Sequence, residues 1–162
     1  MTRHTLLASP ESRRPKRRAL LRALCGSLLA GFSRAFEAHA QTAPAYRVLV
    51  HPHHPASEAD RDLLLDLFLK RSTRWEHGAL ASPVDLPATS PARRAFSLAV
   101  LKRPVSAVRN YWTQRIFAGR DVPPPEVESE AAVVKFVATH PGAVGYVSPG
   151  TDIAGTKVLG VR

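Results

Sequence analysis

The chain has 162 residues, with 23 Lys and Arg against 13 Asp and Glu and a formal net charge of +10. Eight of the basic and two of the acidic residues fall in residues 1–40, so the remainder holds fifteen basic against eleven acidic residues, about +4. That part mixes both signs and has no basic patch interleaved with aromatics, which argues against nucleic acid as a partner.

Residues 1–40 read as an export signal. "RRPKRR" (13–18) is a basic leader, and "ALCGSLLAGF" (23–32) is an apolar run too short to span a bilayer. "AHA" (38–40) places small residues where a signal peptidase reads, so cleavage is expected between Ala40 and Gln41. The alternative is a basic amphipathic helix retained at a membrane. "RRALLR" (17–22) resembles a twin-arginine signal, so both the twin-arginine and the general secretory routes stay open. Cys25 is the only cysteine, and Leu24 before it is too large for a lipoprotein signal. The mature chain therefore has no disulfide and no thiolate to offer a metal. A periplasmic protein is expected, with one small domain over 46–162 behind a flexible lead, 41–45.

"YRVLVH" (46–51) predicts a strand that ends at Pro52. "HPHHPA" (51–56) is a proline-broken loop. Ser57 with Asp60 resembles a capping box ahead of a helix through "LLLDLFLK" (63–70). "RSTRWEHG" (71–78) is a polar turn, and "SPVDLP" (82–87) a short strand. A helix is predicted from Pro91 to Leu101 and a second from Val105 to Phe117. The second would set Val108, Tyr111, Trp112, Ile116 and Phe117 near one face. "AGRDVPPPEV" (118–127) is a rigid loop, since three prolines exclude helix and central strand. Ser129 caps a helix over 130–139, and "AVGYVS" (143–148) and "TKVLGV" (156–161) read as strands. The order β-α-β-α-α-α-β-β predicts a layered α/β domain.

Three groups of residues invite chemistry. His51, His53 and His54, with His77, suit metal ligands by residue type. Yet Pro52 interrupts them and no carboxylate stands at ligand spacing, so a solvated loop is the plainer reading. Ser90 lacks a Gly-x-Ser-x-Gly elbow, and Asp85 with Glu76 is a carboxylate pair any chain this size would offer. No enzyme, metal or cofactor is therefore predicted. Trp75, Tyr111, Trp112 and Tyr146 read as packing residues.

The third group is "TSPARRAF" (89–96). Ser90 and Pro91 start a helix directly after a strand, where free N–H groups and the positive end of the helix dipole collect. Thr89, Ser90, Arg93 and Arg94 thus form a candidate anion site. The same residues serve equally well as a helix cap with solvated arginines.

An ordered set of segments resembles the periplasmic phosphate-binding proteins of ABC phosphate importers. "LLLDLFLKRSTRW" (63–75) is similar to their D-I-F-x-G-x-x-x-x-W segment. "PVDLPATSPARRAF" (83–96) is similar to the segment whose Ser-Gly-Thr loop precedes a helix. "YWTQRIFAGR" (111–120) and "HPGAVGYVS" (140–148) follow in the same order, the latter like P-G-A-I-G-Y-V. The resemblance implies a type 2 periplasmic-binding fold, with ligand held between two α/β lobes. A full receptor is about twice this length, so one lobe is expected, a small mixed sheet flanked by helices. Within the loop Ser90 matches the serine, but Pro91 replaces glycine and Ala92 replaces threonine. The family's ligand arginine would fall on Leu86 and its acceptor aspartate on Ala88. Most phosphate donors are therefore missing.

The resemblance implies an exported phosphate-binding-like protein that takes a small anion such as phosphate without chemistry, with an ABC permease as partner. The alternative is an envelope interaction module that has lost phosphate binding. It would act through an envelope protein or a homodimer, and an exposed apolar face of several hundred square ångströms would mark it.

Overall fold

The computed structural model describes residues 45–162. The readings of the export signal, the cleavage point at Ala40 and Gln41, and most of the lead lie outside the described residues.

Among the described residues, five strands and four helices follow in chain order. They are β1 (Arg47–Val50), β2 (Glu58–Ala59), α1 (Arg61–Phe68), β3 (Ser82–Pro83), α2 (Pro91–Ala99), α3 (Val105–Phe117), α4 (Glu130–Thr139), β4 (Ala143–Val147) and β5 (Lys157–Val161). The strands form one mixed sheet ordered β2-β5-β1-β4-β3. β1 runs antiparallel to both β4 and β5, with Val48 opposite Tyr146 on one side and Leu159 on the other. β3 is parallel to β4 and β2 is parallel to β5. The predicted α/β fold is therefore the observed one.

β4 explains the layering. All five of its residues are buried, as an unbroken apolar run in mid-sheet should be. Its side chains alternate between faces. Tyr146 stacks on Phe96 of α2 at 4.0 Å, and Phe96 in turn meets Phe68 of α1 at 4.7 Å. Gly145 points the other way, against Val84, Val133 and Val137. Helices therefore cover both faces of the sheet.

The elements differ from expectation in three places. Ser57 does not cap α1. Its carbonyl accepts from Gly160 N at 2.9 Å, because residues 58–59 form the edge strand β2 on β5. Asp60 occupies the N-cap position but makes no side-chain cap, and its carboxylate accepts from Arg162 Nε at 2.8 Å. A two-residue strand has no periodicity to read, so it was invisible in sequence.

The proline segment also does more than connect. Asp85 N donates to Pro125 O, and Val127 N donates to Asp85 O, both at 2.9 Å. It thus lies alongside the chain just beyond β3, as an edge that asks no N–H of Pro125.

The third difference is on α3. Val108 and Trp112 are buried, but Ile116 and Phe117 face solvent. At 100° per residue, Phe117 lies diametrically opposite Val108, so the five apolar positions cannot share a face.

Gly145→Ala tests the layering. An added Cβ would stand 2.5 Å from Val133 Cγ1 and 2.9 Å from Val84 Cγ1. Thermal denaturation should show a loss of about 1–3 kcal/mol from overpacking between β4 and α4.

Candidate functional site

Ser90 is the N-cap of α2, and its hydroxyl accepts from Arg93 N at 3.3 Å. Pro91 opens the helix and has no N–H, while Arg94 N is held by Ser90 O at 3.1 Å. Ala92 is left as the first-turn residue with an uncommitted N–H. The two arginines then part. Arg94 is exposed and its guanidinium donates to Thr89 O at 2.6 Å. Arg93 is only 7% exposed.

Arg93 turns inward, to an ion pair with Asp85, and its Nη1 donates to the Tyr146 hydroxyl at 3.1 Å. That hydroxyl donates to Asp85 Oδ1, which also accepts from Leu86 N at 3.0 Å. The network joins the loop after β3, helix α2 and strand β4. Burial drives the Tyr146 hydroxyl well above its ordinary pKa, against the nearby Arg93 charge. Burial also pulls Arg93 down, from a value so high that the guanidinium stays charged. Sequence reading missed the network, since Tyr146 lies 53 residues from Arg93 and nothing local marks the pairing.

Thr89, Ser90 and Pro91 form one wall of an open hollow of about 330 Å³. The facing wall is Glu128, Ser129 and Glu130, the N-terminal turn of α4. Ser129 caps that helix by accepting from Ala132 N at 3.2 Å. Two helix N-termini therefore open on one space, and their partial positive charges add. Two carboxylates oppose them. Glu130 is engaged elsewhere: Ser148 Oγ donates to it at 2.7 Å, Ser148 N at 3.0 Å, and the Thr151 hydroxyl as well. Burial raises its pKa, but these donors from Thr151 and Ser148 outweigh it and hold the carboxyl below its usual value. Glu128 remains as the exposed negative group. The hollow can thus offer hydroxyls and helix N–H groups to a small anion. Arg93 lies away from that wall and lines a smaller hollow of about 150 Å³ with Arg109, Trp112 and Glu126.

The histidines form a separate cluster. His51, His53, His54 and His77 line another hollow of about 330 Å³. The His51 and His53 rings stand 5.5 Å apart, and the His54 and His77 rings 5.1 Å apart. Among the described residues, no group of three or more His, Cys, Asp or Glu is arranged to hold a metal ion. His54 is buried against Trp75, with ring centres 4.4 Å apart, and Trp75 Nε1 donates to Gly142 O at 3.0 Å. Of the other carboxylate pair considered, Asp85 is buried in its ion pair and Glu76 is exposed.

Solved structures share this architecture. An ABC-type phosphate transport receptor from Vibrio cholerae matches with a TM-score of 0.56 and 17% identity, over 72% of this chain and 46% of its own. PstS from Borrelia burgdorferi matches with a TM-score of 0.55 and 13% identity, over 73% of this chain and 47% of its own. The chain has part of the phosphate-receptor fold. It spans under half the length of those receptors, and at these identities the likeness is one of fold. No family model matches the sequence, and no curated protein matches it. Within the receptor fold, α2 and its N-cap are built from the segment that resembled the receptors' Ser-Gly-Thr loop.

Two measurements check the electrostatics. Arg93→Leu would leave Asp85 buried and unpaired, a loss of about 3–5 kcal/mol in urea unfolding. A paired Asp85→Val/Arg93→Leu change should recover part of it. Burial holds His54 below the ordinary imidazole pKa, with His77, Lys157 and His51 adding positive charge and only the Ala56 carbonyl opposing. The unfolded chain takes that proton near pH ~6.5, and the fold resists it. Stability from His54 should be full above that pH and drain as pH falls toward the lower folded value. His54→Gln should flatten that slope between pH ~7.5 and ~5.

Proposed function

We propose that this is an exported, phosphate ABC-transporter substrate-binding-like protein that holds a small tetrahedral oxyanion, phosphate foremost, and performs no chemistry on it. The observation that carries the reading is the hollow between the N-terminal turns of α2 and α4, set in a fold shared with phosphate receptors. The anion would lie against the Thr89 and Ser90 hydroxyls, with Arg94 swinging from the Thr89 carbonyl to meet it. Arg93 contributes by fixing α2, its charge being paired with Asp85. Binding is expected to be weak, since Pro91 supplies no N–H and Glu128 repels. The hollow's lining supports binding over catalysis, because no imidazole stands beside Ser90 to take its proton.

The basic, apolar and small-residue order of residues 13–40 supports export. Among the described residues no helix is long and apolar enough to cross a membrane. A receptor-like role would make an ABC permease the natural partner.

Calorimetric titration of the purified protein with phosphate tests the reading, with sulfate alongside. A saturable heat is expected, and Ser90→Ala/Arg94→Ala should weaken it roughly tenfold, the loss of one charge-assisted contact and one neutral one. Circular dichroism would confirm that α2 survives the loss of its cap. No heat at millimolar phosphate would overturn the proposal.

A further inference from the structure

The end of α3 is built differently from the rest of the surface. Arg120 N donates to Arg115 O at 3.0 Å and Gly119 N to Ile116 O at 2.9 Å, with Gly119 at φ +64°. This is the Schellman turn that closes many helices. Such a turn commonly packs an apolar residue at its first position against another at its last. Here both positions are arginine, Arg115 and Arg120. The apolar residues sit between them and point outward: Ile116 is 50% exposed and Phe117 87%. Val122, just past the turn, is 60% exposed. Arg109 lies on the same helical stripe as Ile116 and is exposed.

Basic groups outnumber acidic ones at this tip: Lys70, Arg109, Arg115 and Arg120 stand against Asp121 and Glu126, the last of which shares a hollow with Arg109. Asp121 itself is tied to Lys70 at 3.4 Å and Arg115 at 3.6 Å, so it offers no free negative charge at the tip. An aromatic and an aliphatic side chain held out on a closed turn between Arg115 and Arg120 cost solvation and serve no packing.

We propose that the C-terminal turn of α3 is a docking tip for an anionic lipid surface. Phe117 and Ile116 would enter the boundary between headgroups and acyl chains, and Arg109 and Arg120 would meet lipid phosphates. Charge complementarity selects an acidic partner. Outward-pointing side chains favour a fluid surface, which closes around a tip, over a protein that must present a matching pocket. This inference is independent of the oxyanion reading.

The full chain carrying Phe117→Trp, mixed with vesicles bearing brominated acyl chains, provides the test. Trp75 and Trp112 are buried, so contact quenching reports position 117 itself, whatever the rest of the chain touches. The expected result is loss of the added emission on phosphatidylglycerol-containing vesicles and none on pure phosphatidylcholine. Arg109→Gln/Arg120→Gln should weaken vesicle partition roughly tenfold or more, as two charges leave the surface. These side chains are exposed, so circular dichroism should match wild type. An unquenched tryptophan on anionic vesicles would overturn the proposal. So would a blue shift produced by polyglutamate but not by vesicles, since the partner would then be an acidic protein.

Discussion

The buried Asp85–Arg93 pair, bridged by the Tyr146 hydroxyl, is the constraint on which the rest of the domain leans. A guanidinium cannot be left unpaired in a core at tolerable cost. Its position therefore fixes three pieces of chain at once: the loop leaving β3, the first turn of α2 and the middle of β4. Asp85 also has both its backbone groups committed to the proline segment. The ion pair thus anchors the edge of the sheet and the entry to α4 as well.

The candidate anion hollow is a by-product of that anchoring. Because Arg93 is drawn inward, the N-terminus of α2 is held steady while its capping side faces out. The proline segment then delivers Ser129 and α4 to the opposite side. Two dipole ends meet there, with Glu130 pulled aside by Ser148 and Thr151. The result is a space in which two helix N-termini face two carboxylates, Glu128 and Glu130. The loop of α2 is donor-poor as well, since Pro91 has no N–H.

The surface divides into regions of different character. The histidine hollow lies near the end of β1, where His54 packs on Trp75 and His77, Lys157 and His51 disfavour its protonation. The end of α3 carries arginines and exposed apolar groups instead. The Schellman turn holds those groups out, whereas the same residues on the opposite side of the helix would have joined Val108 and Trp112 in the core. An apolar residue's fate here follows from a rotation of the helix, not from its hydrophobicity.

The sequence by itself determined the elements whose signals are local. Pro91 after Ser90, Ser129 before an apolar run, and the prolines bounding 82–87 each act within a few residues. They placed α2, α4 and the edge strand β3 close to where they lie. The unbroken apolar run at 143–147 also marked the buried strand. The tertiary structure alone decided the pairings. A two-residue edge strand at Glu58–Ala59 exists only because β5 offers it a partner. The pairing of Arg93 with Asp85 and Tyr146, and the meeting of two helix N-termini across one hollow, depend on chain segments tens of residues apart. No local propensity records such a meeting, because the energy of a buried charge or a shared hollow is defined only once the fold has excluded water from it.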